Sequence, residues 1–138
     1  MSGVLVDSDV LIDVLRQRKP DIARDWRDLA GSNEAVYYSP VSVAEVFHGM
    51  REHEREVIER LFSAIICLPI GEEIGRAAGR YLRAFHASHT MALGDAVIGA
   101  SASVYGLMLW TRNRNHFPMK DVRFFRDHLR NAPGASDA

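Results

Sequence analysis

The sequence predicts an α/β fold in which a short, mostly parallel sheet is covered by helices on both faces. Two observations carry this prediction: strand-like and helix-like segments alternate along the chain, and the strand-like segments are almost wholly apolar. Strands that are apolar on both faces are typical of parallel sheets buried between helices. The length of 138 residues is that of one domain. We expect that domain over residues 1–130 and a disordered tail over residues 131–138.

Four short segments are predicted to form the strands. Val4-Leu5-Val6 is wholly apolar and ends in a polar cluster, as expected of a buried strand. Residues 35–39 are rich in Val and Tyr, which favour strands, and they stop before Pro40. Residues 66–68 form a third short strand, and residues 107–110 form a nearly continuous apolar one after Gly106. Ligands of such sheets gather at the carboxyl ends of the strands, so we expect the functional site at that edge.

Helices are predicted between these strands. Asp9 is expected to cap the first helix, with Asp13 on its exposed face, and Pro20 separates this helix from the next. Further helices are predicted over residues 21–29, after Pro40, and over residues 52–64, 72–86 and 95–105. Phe124 and Phe125 follow the last predicted strand, and they either close the core or form a dimer contact.

The composition excludes several classes of protein. No apolar run is long enough to span a bilayer and no signal peptide is present, which indicates a cytoplasmic protein that does not enter a membrane. The single cysteine, Cys67, excludes an internal disulfide, and its apolar neighbours predict a buried side chain that is not a nucleophile. A net charge of -1 provides no overall attraction for nucleic acid, so any such binding must be local.

Three acidic residues in similar positions predict a metal site. Asp7 directly follows the first strand, Glu45 lies early in the helix after the second strand, and Asp95 begins the alanine-rich helix. Each alone has a common structural explanation: a turn for Asp7, an arginine partner for Glu45 and a helix cap for Asp95. Together, in apolar surroundings, they would repel one another unless a cation neutralised them. A hard divalent ion, Mg²⁺ or Mn²⁺, suits such a set of oxygen ligands.

Four segments contain these polar residues in order along the chain: Val6-Asp7-Ser8-Asp9-Val10-Leu11-Ile12-Asp13, Ser42-Val43-Ala44-Glu45-Val46-Phe47-His48-Gly49, Gly94-Asp95-Ala96-Val97-Ile98-Gly99-Ala100-Ser101-Ala102, and Thr111-Arg112-Asn113-Arg114-Asn115-His116-Phe117. In this order they resemble the motifs of the PIN-domain family, and the chain length and last motif most resemble its VapC-type toxins of toxin–antitoxin pairs. The match covers the chain to about Phe125. This resemblance implies a three-layer α/β/α sandwich, Mg²⁺- or Mn²⁺-dependent cleavage of RNA, homodimerisation, and inhibition by a partner antitoxin protein.

The resemblance also implies roles for individual residues. Asp7, Glu45 and Asp95 match the metal ligands and catalytic acids, and Thr111 and Ser8 match hydroxyl positions that support the site. The expected mechanism has the metal bind a phosphate oxygen and polarise a water for in-line attack on phosphorus. Asp95 or Asp7 would orient or deprotonate that water.

One acidic position departs from the family pattern. Many members carry an aspartate in the loop after the last central strand, where this chain has Asn113 and His116. Asn113 could bind the metal or a water through its carbonyl oxygen without adding charge, whereas Asp9 replaces a more frequent asparagine and adds charge. His116 is expected to fix the loop by a hydrogen bond. Arg112 and Arg114 either hold RNA phosphates or remain solvated loop residues.

Two other functions fit parts of this pattern. Asp7-Ser8-Asp9-Val10-Leu11 after an apolar strand also resembles the nucleophile motif of haloacid-dehalogenase-like phosphatases, although that reading leaves Glu45 unexplained. Those enzymes also need a lysine, and this chain has only Lys19 and Lys120. The second alternative is a PIN-like module that binds RNA or protein without cutting, which the loss of the fourth acid favours.

Overall fold

The computed structural model describes residues 1–126, apart from the side chains of His86 and His89. Its centre is a parallel sheet of five strands in the order β3-β2-β1-β4-β5, which confirms the predicted α/β fold. The expected end of the domain at residue 130 and the expected tail over 131–138 lie outside the described residues. The strands are β1 Val4–Val6, β2 Val36–Tyr38, β3 Ile66–Cys67, β4 Met108–Trp110 and β5 Arg123–Phe124. The helices are α1 Ser8–Arg16, α2 Pro20–Ala30, α3 Pro40–Gly49, α4 Arg55–Ala64, α5 Glu72–His89 and α6 Leu93–Tyr105, with 3₁₀ turns at Glu52–Glu54 and Arg114–His116.

Helices cover both faces of the sheet, so the molecule has three layers. Successive side chains of β1 point to opposite faces: Val4 and Val6 pack with residues of α1, α2, α3 and α4. Leu5 packs on the other face with residues of α5 and α6. All three strand residues are fully buried, which explains why β1 is apolar throughout. None of the helices within residues 1–126 is long and apolar enough to cross a membrane.

The order of the strands places the candidate site. The chain builds β2 and β3 on one side of β1 and then returns to build β4 and β5 on the other side. In an open parallel sheet, ligands bind at such a reversal, beyond the carboxyl ends of the strands. Val6 of β1 lies beside Trp110 of β4, so the residues that follow, Asp7 and Thr111, face the same crevice.

Two predictions about the first helix are wrong. The helix begins at Ser8, because the carboxylate of Asp7 accepts a hydrogen bond from the Ser8 backbone N–H and caps it. Asp9 is therefore inside the first turn and is not the cap. Asp13 is only 7% exposed, whereas we expected it on the solvent face. It lies one turn after Asp9 on the same face, where the Arg112 guanidinium pairs with it.

Two predictions about the sheet edges also need correction. Cys67 was expected to be buried but is exposed, because within residues 1–126 β3 is an edge strand whose one partner is β2. The two-residue strand β5 at the other edge was not predicted. Phe125, just after it, is buried, with its ring centroid 5.1 Å from that of Trp110. Of the two uses considered for Phe125, the structure shows the first, closing the core.

Candidate active site

Asp7 is the centre of the crevice between β1 and β4. Its backbone N–H donates to the Trp110 carbonyl oxygen at 2.9 Å, which continues the pairing of the strands beyond Val6. Its Oδ1 accepts from the Ser8 backbone N–H at 2.8 Å, and its Oδ2 accepts from the Thr111 hydroxyl at 2.9 Å. The residue is only 8% exposed. These contacts fix the carboxylate in one orientation at the carboxyl end of β1.

The Asp7 carboxyl group is held where its charge is unfavourable. Burial, and then the negative charges of Asp9 and Glu45, raise its pKa from the ordinary value of 3.8 to about 7. The hydrogen bonds from Thr111 and Ser8 lower the pKa but do not offset these effects. Burial and the two nearby acids make ionisation of this carboxyl group costly, and a bound cation would reduce that cost.

Glu45 is attached to this centre through Ser8. It lies in α3, which begins after Ser39, whose hydroxyl accepts a hydrogen bond from the Val41 backbone N–H and caps the helix. The Ser8 hydroxyl donates to Glu45 Oε1 at 2.8 Å, and Ser8 Oγ is also 3.0 Å from Ser42 Oγ. Glu45 is exposed whereas Ser8 is buried. Ser8 thus holds the carboxylate of Glu45 at the open side of the crevice.

Asp95 approaches from the layer of helices on the other face. It lies in the first turn of α6, whose N-cap is Ala92, so Asp95 is not the cap residue. Its side chain is 27% exposed, and its Oδ2 is 3.5 Å from His116 Nδ1. Burial raises the pKa of Asp95, His116 lowers it, and the charges of Glu45 and Asp9 raise it further. Asp95 and His116 also line a cavity of about 600 Å³ with Asn115 and nearby residues.

Asp9 joins α1 to the loop that follows β4. Its Oδ1 accepts from the Val10 backbone N–H at 2.7 Å. Its Oδ2 accepts from the Arg112 backbone N–H at 3.0 Å and from Asn113 Nδ2 at 3.1 Å, and it lies 3.4 Å from the Thr111 hydroxyl. Burial is the largest influence on the pKa of Asp9, which is raised. Asp9 thus fastens the loop to the first turn of α1.

The two arginines after β4 have partners within the protein. The guanidinium of Arg112 is 2.7 Å from the buried carboxylate of Asp13. Arg114 donates to the Phe125 carbonyl oxygen at 3.1 Å, and its guanidinium lies 4.9 Å from the centre of the Phe124 ring. Arg112 therefore stays at the rim of the crevice, whereas Arg114 is directed towards β5.

The acids have the type of ligand atom that a divalent cation binds, although they are not close enough together to surround one by themselves. Asp7, Glu45 and Asp95 offer only oxygen atoms, which Mg²⁺ and Mn²⁺ prefer. Over residues 1–126, neither arginine nor lysine lies within 4 Å of these three carboxylates. In the same part of the chain, no three His, Cys, Asp or Glu side chains are grouped closely enough to hold an ion. Mg²⁺ commonly keeps several waters and takes only one or two carboxylates directly, so the residues fit such an ion.

Comparison with known proteins identifies the family. The model of the PIN domain matches residues 4–124. The chain belongs to the PIN-domain family. It also groups with the VapC ribonucleases of that family, because it is 44% identical over 117 residues to Ribonuclease VapC10 of Mycobacterium tuberculosis. That alignment covers 84% of this chain and 86% of the relative. The dehalogenase-like alternative is therefore not supported.

Solved structures of PIN-domain proteins share the fold. VapBC2 from Rickettsia felis, bound to a DNA fragment from its promoter, matches with a TM-score of 0.76 and 15% identity, covering 91% of this chain and 98% of that one. A toxin–antitoxin complex from Klebsiella pneumoniae matches with a TM-score of 0.67 and 22% identity, covering 87% of this chain and 95% of that one. At these identities the likeness shows the PIN fold alone.

Two residues of this PIN domain matter more than the sequence suggested. Asp13 was expected at the surface, yet it anchors Arg112. Ser42, which was not singled out, is fully buried beside the hydroxyl of Ser8. The role of Asp13 could have been predicted from its position one helical turn after Asp9. The role of Ser42 could have been predicted only from the presence of a serine inside the helix that contains Glu45, which is weak evidence.

Proposed function

We propose that this VapC-type ribonuclease is a metal-dependent endoribonuclease whose site is formed by Asp7, Glu45 and Asp95. The observation that carries the proposal is the buried Asp7 carboxylate at the carboxyl end of β1, with Glu45 held beside it through Ser8 and the charge of Glu45 acting on Asp95 as well. No lysine or arginine of the described residues lies within 4 Å of them. A protein gains no stability from such repulsion, so the arrangement is best explained by a cationic ligand.

Each acid has a distinct role in this proposal. Asp7 and Asp95 would hold Mg²⁺ or Mn²⁺, with Glu45 at the open side, directly or through water. When bound, the ion supplies polarisation of a phosphate oxygen and of a water. Asp95 would accept the proton of the attacking water, because it is partly exposed and its raised pKa brings it closer to neutral pH. Asp7 is less suited to that role, since both its oxygens already accept hydrogen bonds.

The remaining polar residues would orient these acids. Thr111 and Ser8 hold the oxygens of Asp7 and Glu45 through hydrogen bonds of 2.9 and 2.8 Å. Arg112 lies at the rim of the crevice and is paired with Asp13. In this position its charge would face an RNA phosphate without leaving Asp13. His116, whose Nδ1 lies 3.5 Å from Asp95 Oδ2, would orient that carboxylate. Asn113 would orient Asp9, to which its side-chain amide donates at 3.1 Å.

The direct test is cleavage of RNA by the purified protein with Mn²⁺, with Mg²⁺ and with EDTA. We expect cleavage only with metal, and a loss on the order of a hundredfold or more in Asp95→Asn, since this change removes a proton acceptor. Asp121→Asn is a matched control, because Asp121 accepts hydrogen bonds from Tyr81 and Ser103 away from the crevice. Cleavage by Asp95→Asn at the rate of the wild type would refute the assignment.

We also propose that the protein is the toxin of a VapBC-type pair and acts in the cytoplasm as a homodimer, with an antitoxin protein as its inhibitor. The support is the 44% identity to a VapC ribonuclease. Expression should arrest growth, and co-expression of a cognate antitoxin protein should relieve the arrest. Growth arrest by Asp7→Asn equal to that of the wild type would separate toxicity from the metal site and contradict this proposal.

A module that binds RNA without cutting it remains the second candidate. Asn113 favours it, because that position has no negative charge. This candidate predicts that RNA binds with the same affinity with and without Mn²⁺ and is recovered intact. Metal-dependent cleavage that Asp95→Asn abolishes would exclude it.

A further inference from the structure

Asp9 and Asn113 form a polar pair across the rim of the crevice. Asp9 comes from the first turn of α1, and Asn113 comes from the loop after β4. Asn113 Nδ2 donates to Asp9 Oδ2 at 3.1 Å, while the Asn113 backbone N–H donates to Thr111 Oγ1, also at 3.1 Å. Thr111 in turn donates to Asp7 at 2.9 Å. The pair is therefore connected to the buried carboxylate through a single hydroxyl.

Hydrogen-bond donors orient the charge of Asp9, and the nearby Arg112 guanidinium, although it is paired with Asp13, also lowers the pKa of Asp9. Its oxygens accept from two backbone N–H groups, at Val10 and Arg112, and from one side-chain amide. Among the described residues, no guanidinium or ammonium group lies within 4 Å of it, because the Arg112 guanidinium contacts Asp13 instead. Hydrogen bonds donated to the charged form of a carboxylate favour that form. The negative charge of Asp9 raises the pKa of both Asp7 and Asp95.

We propose that Asp9 is a positioning residue that supplies the fourth negative charge of the site, and that Asn113 is the neutral donor that holds it in place. This inference rests on the proposed function. It assigns the charge to α1 and not to the loop after β4. It also explains why residue 113 is not acidic here: two carboxylates at this distance would repel each other and lose the hydrogen bond. The charge would strengthen cation binding at Asp7 and Asp95 without requiring Asp9 to be a ligand.

Three variants separate the charge of Asp9 from its hydrogen bonds. Asp9→Asn removes the charge and keeps an oxygen for the loop. Asn113→Ala keeps the charge and removes only the side-chain donor. The double variant Asp9→Asn/Asn113→Asp moves the charge across the hydrogen bond to the other partner. The measurement is the Kd for Mn²⁺ by isothermal titration calorimetry at pH 8, with the melting temperature in EDTA as the measure of folding.

We expect Asp9→Asn to weaken Mn²⁺ binding on the order of tenfold or more. Asn113→Ala should weaken it much less, and the double variant should recover most of the loss. Binding by a folded Asp9→Asn equal to that of the wild type would overturn the inference. An equal loss of Mn²⁺ binding in Asn113→Ala would also overturn it, because the hydrogen bond that holds the loop, and not the charge of Asp9, would then be what matters. If Asp9→Asn does not fold, Asp9→Asn/Asn113→Asp becomes the deciding variant. Its reference is Asp9→Ala/Asn113→Asp, which has the same charge at residue 113 but no hydrogen-bonding side chain at residue 9. The inference fails unless Asp9→Asn/Asn113→Asp folds and binds Mn²⁺ more tightly than this reference.

The same titration keeps this inference apart from the proposed function. A wild-type protein that binds no Mn²⁺ would overturn both. A wild-type protein that binds Mn²⁺ and loses binding in Asp95→Asn but not in Asp9→Asn would support the proposed function and overturn only the role of Asp9. Loss of binding in both variants, with unchanged melting temperatures in EDTA, supports both.

Discussion

Replacing Asp7 by asparagine should stabilise the metal-free protein at and above neutral pH. The carboxyl group is only 8% exposed, and burial and neighbouring acids raise its pKa to about 7. Asparagine has nearly the same shape and can still accept a hydrogen bond from the Ser8 backbone N–H. It has no charge to bury. Asp7, which we propose is essential for function, should thus lower the free energy of unfolding when the metal is absent.

The sign and size of the effect follow from the shift in pKa. Because the folded state holds the proton of Asp7 more tightly than the unfolded chain, this group favours folding at low pH. Its contribution is lost as the pH rises from the ordinary pKa of 3.8, which applies to the unfolded chain, to the folded-state pKa of about 7. A rise of about three pKa units corresponds to at most about 4 kcal/mol. Between pH 5 and pH 8 the advantage of Asp7→Asn should therefore grow by up to about 3 kcal/mol.

The assay is urea unfolding in EDTA at several pH values between 5 and 8, for the wild type, Asp7→Asn and Asp121→Asn. Asp121 is the control, because hydrogen bonds from Tyr81 and Ser103 contribute to lowering its pKa. A carboxylate with a lowered pKa contributes stability above its unfolded pKa, so that contribution is constant in this range. A difference between Asp7→Asn and the wild type that does not change from pH 5 to pH 8 would refute the reasoning.

Metal should reverse the order of stability. Saturating Mn²⁺ should raise the melting temperature of the wild type and leave that of Asp7→Asn nearly unchanged, because a ligand stabilises only the folded state that binds it. Binding must displace the proton from Asp7. The Kd for Mn²⁺ measured by calorimetry should therefore rise by up to about tenfold for each pH unit below 7. A Kd that is constant from pH 8 to pH 6 would contradict this linkage.

Two further substitutions test the supporting residues. Ser8→Ala should free the Glu45 carboxylate and slow RNA cleavage on the order of tenfold. The melting temperature in EDTA should also fall, because the buried Ser42 hydroxyl loses its partner. An unchanged cleavage rate would argue against a role for the hydrogen bond to Glu45. Arg112→Gln should lower the free energy of unfolding by about 2 kcal/mol or more, because it leaves the buried Asp13 carboxylate unpaired. Arg60→Gln, which breaks an exposed pair, should cost less than about 1 kcal/mol; equal losses in urea unfolding would contradict the difference.

The sequence was sufficient to predict the fold because its information on the sheet is local. Val4-Leu5-Val6 is apolar at every position, which a strand covered on both faces requires. The positions of Asp7 and Thr111 directly after such strands were enough to place both at one edge of the sheet, and the structure joins them by a hydrogen bond. The direction of the strands then determines the place of the site.

What the sequence could not show depends on contacts between distant segments. β5 has two residues and is recognisable only from its pairing with β4. The exposure of Cys67 follows from the edge position of β3, which local hydrophobicity does not reveal. The buried position of Asp13 depends on its ion pair with Arg112, which lies 99 positions later in the chain. In each case a partner elsewhere in the chain decides the outcome.

The scaffold offsets part of the repulsion within the site through its helix ends. Asp7 caps α1, Asp9 lies in its first turn, and Asp95 lies in the first turn of α6, so all three are near the positive ends of helix dipoles. Such an interaction contributes about 0.3–1 kcal/mol for each acid, and up to about 2 kcal/mol when it is partly buried. The cost assigned to Asp7 alone is at most about 4 kcal/mol at neutral pH. Helix ends therefore offset part of this cost at neutral pH but not all of it, and a bound cation, as proposed above, would reduce the remainder.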